Sequence, residues 1–315
     1  MRIIILQGNI NWIDNLKAFG ILAVILGHIA SPFSSFIFSW HMPLFFMISG
    51  FFIKFDLSPK DFILKDFKRL MIPYFIFSMI ALVLEELKRI VLHRELLDFV
   101  NELKGVFLWM DITSLINTYA FVLWFLPALF FAKVILLSIN KYIQNIFLQF
   151  ITISMLFTSS FYINLPFALD NGMNAVLFIF IGNIFFRFYQ DNKLLYLLPI
   201  IFVGLYFVYG VPSLDVASKN YGLVMFNIVW ALSFIGIFVL VLKKINIQST
   251  ILTLWGGNTM LLFIIHPYTN NIAHIVVEKL HFGDWFFKLF LSLLLLQIIL
   301  FIKLKYNNRG LFKYV

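Results

Sequence analysis

Residues 11–28 read Asn11-Trp12-Ile13-Asp14-Asn15-Leu16-Lys17-Ala18-Phe19-Gly20-Ile21-Leu22-Ala23-Val24-Ile25-Leu26-Gly27-His28. The run is apolar enough to enter a membrane as a helix, yet it carries a lysine and a histidine eleven positions apart. At about 100° per residue, that spacing makes about three full turns, so Lys17 and His28 share one face. Asp14, three residues before Lys17, falls on nearly the same stripe. The rise between Lys17 and His28 is roughly 16 Å, about half the thickness of a hydrocarbon core. Ionisable groups at such depth are costly and mark function by default.

The rest of the chain agrees with a membrane setting. Its 315 residues are 62% hydrophobic and 12% charged, with a mean hydropathy of +0.96. Soluble domains run at about 45–50% apolar and about 25% charged. The 41 Phe and 7 Trp suit lipid-facing and interfacial surfaces. Cysteine is absent, which excludes disulfides and thiolate chemistry. The net charge of +9 is spread over short loops and is not a nucleic-acid signal. No cleavable signal peptide is evident, because the first apolar run is flanked by Asp14 and Lys17 and leads straight into another.

The pattern predicts an all-α, polytopic integral membrane protein in one domain, 1–315, with about ten transmembrane helices. Their expected ranges are 12–30, 36–53, 71–91, 118–138, 145–163, 168–188, 194–211, 222–242, 254–273 and 284–302. With the N-terminus inside, the inner segments hold Arg2, Lys54, Lys60, Lys65, Lys68, Arg69, Lys141, Arg187, Lys193, Lys243, Lys244, Lys303, Lys305, Arg309 and Lys313. The outer segments hold Lys88, Arg89, Arg94, Lys104, Lys219 and Lys279. This bias predicts that both termini are cytoplasmic. The charged segment from Glu85 to Asn117 reads as a continuation of the third span that returns as an amphipathic helix on the outer surface.

Three further stretches carry candidate chemistry. The second span reads His41-Met42-Pro43-Leu44-Phe45-Phe46, with Pro43 expected to kink it and free the Ser39 carbonyl. A short turn separates it from the first span, which brings His28 and His41 to similar depth, either as base and orienting partner or as caps on neighbouring carbonyls inside the bundle. In the inner loop, Lys65, Lys68 and Arg69 stand at helical spacing, suited to a polyphosphorylated ligand or to anionic lipid head groups. The ninth span reads Trp255-Gly256-Gly257-Asn258-Thr259 and continues to His266-Pro267, where Asn258 and His266 are candidate lining residues and close packing explains the glycines equally well. There is no His-Glu-x-x-His run, no Gly-x-Ser-x-Gly elbow and no Walker loop, and no metal site is expected.

Taken together, these residues resemble the acyltransferase-3 family of bacterial membrane O-acyltransferases. The family is marked by a basic residue, ten intervening residues and a histidine in the first span, here Lys17 and His28 with Lys in place of the commoner Arg. The start from Ile10 to Lys17 looks like the branch of the enterobacterial common antigen O-acetyltransferase. The block from His41 to Phe51 looks like the branch of the nodulation-factor fucose O-acetyltransferase. Lys68-Arg69-Leu70 to Pro73-Tyr74 is similar to the family's basic inner loop, and Leu123-Trp124-Phe125-Leu126-Pro127 and Gly257 to Pro267 match weaker blocks. Two departures stand out. Trp124 is followed only by apolar residues where some members carry a glutamate, and no appended extracytoplasmic domain is expected.

The resemblance implies an O-acetyltransferase of a bacterial inner membrane. Acetyl-CoA would be the cytoplasmic donor substrate, with no permanently bound cofactor. The acceptor would be a sugar hydroxyl on a surface polysaccharide such as O-antigen, or on its lipid-linked precursor. Lys17, Lys65, Lys68 and Arg69 are then candidates for the donor phosphates. His28 is the candidate general base or acyl carrier, with His41 to position the acceptor or assist the proton transfer, Asp14 to orient or neutralise Lys17, and Trp124 in the lining. A carrier or flippase for a lipid-linked saccharide is the alternative. It predicts paired broken helices, which the sequence does not display.

Overall fold

The computed structural model describes residues 11–188, 193–245, 247–281, 283–306 and 309–315. Arg2 and Ile10, used above for orientation and resemblance, lie outside the described residues. In chain order the helices are α1 (Asn11–Gly27), α2 (Ser34–Phe38), α3 (His41–Phe51), α4 (Pro59–Asp66), α5 (Ile72–Val91), α6 (Phe99–Lys104), α7 (Ile112–Leu115) and α8 (Phe125–Tyr142). They continue as α9 (Ile146–Ser159), α10 (Leu169–Phe188), α11 (Leu198–Tyr209), α12 (Val224–Ile245), α13 (Thr250–Gly257), α14 (Thr259–Leu280) and α15 (Trp285–Tyr306). No strand occurs among the described residues. One isolated antiparallel bridge joins Asp215 and Asn220. The chain is therefore all-α.

Six helical stretches among the described residues are long and apolar enough to cross a membrane: Pro59–Val91, Tyr119–Tyr142, Pro166–Arg187, Val224–Ile245, Thr259–Leu280 and Trp285–Tyr306. The protein is a multi-pass membrane protein. The remaining apolar stretches are shorter or interrupted. α1 has 17 residues, and Ile146–Ser159 and Leu195–Tyr209 are short apolar helices.

Three of the expected spans need correction. The second does not run unbroken over 36–53. α2 ends at Phe38, and α3 starts at His41. The Ser39 hydroxyl caps back onto the Phe36 carbonyl at 2.6 Å and accepts the Trp230 indole N–H of α12 at 2.9 Å. The break thus precedes Pro43, which sits in the first turn of α3 where its missing donor costs nothing. The third starts earlier than residue 71. α4 is capped by Ser58, which accepts the Asp61 N–H at 3.1 Å, and it leads through a π turn at Phe67–Met71 into α5. The ninth is split at Asn258 between α13 and α14.

The segment after Val91 is not one amphipathic helix. His93 takes a left-handed conformation (φ 50°) that ends α5, and the chain returns through α6, a second π turn and α7. It folds back onto the bundle, where the Tyr74 hydroxyl donates to the Val106 carbonyl at 2.9 Å. The helical charge spacing that suggested an outer helix belongs to α5 itself. There, buried Glu85 accepts from Lys88 at 2.5 Å and from Arg89 at 3.1 Å.

α1, α3, α8 and α10 form the buried centre. α3 and α10 cross in backbone contact, because a Cβ on Gly50 would meet the Ile179 carbonyl oxygen at 2.1 Å and one on Gly182 the Met47 oxygen at 2.3 Å. α13 lies as close to α1, where a Cβ on Gly256 would meet the Asp14 oxygen at 2.1 Å. Close packing is therefore what that glycine serves. α11 buries none of its side chains and α15 few, which places both at the rim.

Candidate functional site

Three histidines from three separate helical segments meet in the centre. The His28 ring lies 5.1 Å from that of His266 and 6.4 Å from that of His41, centroid to centroid. His41 and His266 are buried. In each ring Nδ1 faces a backbone carbonyl: Val24 at 2.8 Å for His28, Ile37 at 2.9 Å for His41, and Phe263 at 2.7 Å for His266. A carbonyl oxygen only accepts, so Nδ1 carries the proton in all three, and the neutral ring presents an Nε2 lone pair.

The local sequence explains these contacts. Val24 stands in the last turn of α1 and Ile37 in the last turn of α2. Each carbonyl also accepts a backbone N–H, from His28 and from Trp40 at 3.2 Å, and takes the histidine ring as a second donor on its other lone pair. Pro267 has no N–H for the Phe263 carbonyl, and the neighbouring His266 side chain supplies the donor instead. The His266 Nε2 atom is buried and finds no hydrogen-bond partner among the described residues. Buried polar atoms are seldom left so.

Two cavity systems lie along the Lys17–His28 stripe. One, of about 200 Å³, is lined by His28, His41, Trp124, Phe38, Phe121, Phe263 and, from the loop between α11 and α12, Asp215. The other is a basic vestibule of about 360 Å³ bordered by Lys17, Lys54, Lys65, Arg69, Lys133 and a single carboxylate, Asp66. A narrower space of about 110 Å³ continues from the vestibule past Lys17 and Arg69 to Phe45, Phe125 and Phe263. Phe263 lines both this passage and the histidine cavity. Lys17 and His28 thus open onto the two ends of one interrupted path.

The sequence-derived candidates divide accordingly. His28, His41, His266 and Trp124 come together: three line the histidine cavity, and His266 packs directly behind His28. Lys17, Lys65 and Arg69 border the vestibule. Lys68 borders neither it nor the passage, since it points about 100° away from its neighbour Arg69. Asp14 stands away from the histidines in the first turn of α1, in a 3.1 Å ion pair with Lys17. The pairing is the one expected of it as the group that orients or neutralises Lys17. Asn258 is also no lining residue of these cavities. It accepts from Lys303 at 2.7 Å and donates to the Leu254 carbonyl at 2.8 Å, which ties the α13–α14 break to α15.

Three functional candidates escaped the sequence reading. Lys133 stands in the middle of an apolar helix and forms an ion pair with Asp66 on the vestibule wall. An ionisable residue inside a span was the available signal. Phe263 was one more apolar residue in a helix, and Asp215 one more acid in a loop. Neither had a signal without the fold.

The model of the acyltransferase-3 family, an acyltransferase domain, matches residues 10–304. No curated protein and no solved structure matches the chain. A match over almost the whole length settles the class: the chain belongs to the acyltransferase-3 family and is a membrane acyltransferase.

Proposed function

We propose that this protein is an O-acetyltransferase of a bacterial inner membrane that moves the acetyl group of cytoplasmic acetyl-CoA onto a sugar hydroxyl of a surface polysaccharide or its lipid-linked precursor. The observation that carries the proposal is the pair of cavities meeting at Phe263, cationic at the Lys17 end and histidine-lined at the His28 end. In this reading α1, the α2–α3 pair, α5, α8, α9, α10, α11, α12, α14 and α15 make ten crossings, with both termini cytoplasmic and the vestibule inside.

The chemistry follows from the residues. The phosphates of the donor nucleotide sit among Lys17, Lys65, Arg69 and Lys133, where charge-assisted hydrogen bonds are strong. The uncharged arm threads the apolar passage past Phe45 and Phe125 and presents its thioester beside Phe263. The acceptor hydroxyl enters the histidine cavity from the opposite side. His28 Nε2 takes the hydroxyl proton as the oxygen attacks the thioester carbonyl. The carbon–sulfur bond breaks, the proton passes to the departing thiolate, and the products are the acetyl ester and CoA thiol. The Val24 carbonyl holds the His28 tautomer that leaves Nε2 free.

The test is transfer of labelled acetyl from acetyl-CoA into the glycan fraction, with wild type and His28→Ala membranes at matched protein levels. Label entering the glycan with the wild type only supports the proposal. Equal label with both removes His28 from the chemistry, and no label with either removes acetyl-CoA or the glycan from the reading.

A further inference from the structure

The histidine cavity has a wall that the transfer chemistry does not use, the loop between α11 and α12. Leu214, Asp215, Val216 and Ala217 all line the cavity together with His28 and His41. Asp215 is the one carboxylate on the lining, and no lysine or arginine lies there. Phe38, Phe121 and Trp124 supply aromatic faces around it. A carboxylate beside aromatic faces suits a polyhydroxylated ring, whose hydroxyls donate to the acid while its C–H faces rest on the aromatics.

The loop is held in this position by bonds of its own. Asp215 and Asn220 exchange backbone hydrogen bonds at 2.7 and 2.9 Å. Lys219, in a left-handed conformation (φ 56°), forms an ion pair with Asp170 of α10 and donates to the Ile163 carbonyl and the Asn164 side chain at 3.3 Å. The Tyr221 hydroxyl donates to Asn174 Oδ1 of α10 at 2.5 Å, and burial pushes that phenol well above its usual range, so it remains a donor. Leu214, Val216 and Ala217 are buried against the bundle. Asp215 itself is solvent-facing. Each of its carboxylate oxygens accepts one bond from the loop, Oδ1 from the Ala217 N–H at 2.9 Å and Oδ2 from the Ser218 hydroxyl at 2.6 Å. A carboxylate offers about four lone-pair sites, so both oxygens retain capacity toward the cavity.

We infer that Asp215 is an acceptor-binding residue that takes hydroxyl hydrogen bonds from an uncharged sugar ring and so sets the reacting hydroxyl against His28. The inference rests on the acyl transfer to a glycan proposed above and adds a selectivity to it. A cavity with a carboxylate and no lysine or arginine disfavours uronic acids and phosphorylated sugars, whose charge would face Asp215 without a counter-ion.

The experiment uses the full chain in native membranes, labelled acetyl-CoA and the glycan fraction as acceptor, with methyl glucoside and methyl glucuronide as competitors. Asp215→Asn removes the charge but keeps a side-chain oxygen for the Ala217 N–H. The expected result is an acceptor KM raised about tenfold or more with the donor KM unchanged. The wild type is expected to be inhibited by the glucoside in preference to the glucuronide, and the variant to lose that preference. An acceptor KM within about twofold of wild type, or equal inhibition of the wild type by both competitors, overturns the role of Asp215. A wild type that transfers no label overturns the glycan reaction itself, and the inference with it.

Discussion

The rings of His28 and His266 meet at 67° with their centroids 5.1 Å apart, one from the end of α1 and the other from the middle of α14. When His28 takes a proton on Nε2, that nitrogen becomes a donor and needs an acceptor. The buried Nε2 of His266 is adjacent and has no hydrogen-bond partner among the described residues. His266 is therefore a positioning residue that acts through His28. His266→Leu is expected to lower kcat about ten- to a hundredfold with both KM values unchanged. His266→Gln, which returns an acceptor oxygen, is expected to recover part of the loss. A variant that merely loosened the core would change the KM values or the protein yield, and Gln would not rescue it.

The donor vestibule makes a sharper forecast about the inner basic loop. Lys65 and Arg69 border the vestibule and Lys68 does not. Lys65→Ala and Arg69→Ala are each expected to raise the donor KM several-fold, with the effect shrinking as salt is added. Lys68→Ala is expected to leave the donor KM where it was. Steady-state kinetics across an ionic-strength series decides it. Equal effects at all three positions would mean that the loop acts through bulk charge alone.

Lys133 and Asp66 pair on the vestibule wall, both largely buried. Removing one partner leaves a largely buried charge without its counter-ion, at a cost of about 3–5 kcal/mol. Lys133→Met is therefore expected to lower the detergent-solubilised Tm markedly, and the double change Lys133→Met with Asp66→Asn to recover most of it. Donor affinity is expected to stay weak in both, because the cation is missing in both. Recovery of stability without recovery of affinity separates the two roles of the lysine.

These pairings mark where sequence reading reaches and where it stops. The Lys17–His28 stripe was legible because ionisable residues in an apolar helix stand out and helical periodicity places them on one side. The histidine pair across the first turn was legible because the turn is short. The break at Ser39 was not, because the group that fastens it, the Trp230 indole, stands 191 positions away. Asp215 was not, because its place depends on Lys219 reaching Asp170, and loops carry no periodicity. Which of Lys68 and Arg69 faces the vestibule was not legible either, because neighbours point about 100° apart and the choice depends on how the helix is rotated in the bundle. Lys133 stands apart. Its signal was present, and only its partner was hidden.

The α3–α10 crossing supplies a stability test. A Cβ on Gly182 would meet backbone atoms of Met47 at 2.3–2.8 Å, and backbone cannot rotate away as a side chain can. Gly182→Ala is expected to cost about 1–3 kcal/mol or more and to reduce folded yield. Gly204→Ala in α11, with nothing within 4 Å of the added carbon, is expected to be neutral or slightly stabilising. Thermal unfolding of both variants beside the wild type gives the comparison.

Phe263 separates the passage from the histidine cavity, its ring 5.5 Å from that of Phe125 and 5.8 Å from that of His266. If the thioester comes to rest beside this ring, the ring also keeps water from crossing between the two spaces. In the wild type, CoA thiol released and acetyl delivered to glycan are expected in equal amounts. Phe263→Leu shortens the barrier while keeping an apolar filling, and Phe263→Ala joins the two cavities. Thiol release is expected to exceed acetyl delivery in the Leu variant and more so in the Ala variant, because water then competes with the acceptor for the same carbonyl. Large-to-small changes of a buried Phe cost about 3–5 kcal/mol, so the Leu variant protects the test if the Ala variant fails to fold. Equal thiol and acetyl in a folded Phe263→Leu enzyme would show that the water barrier lies elsewhere along the path.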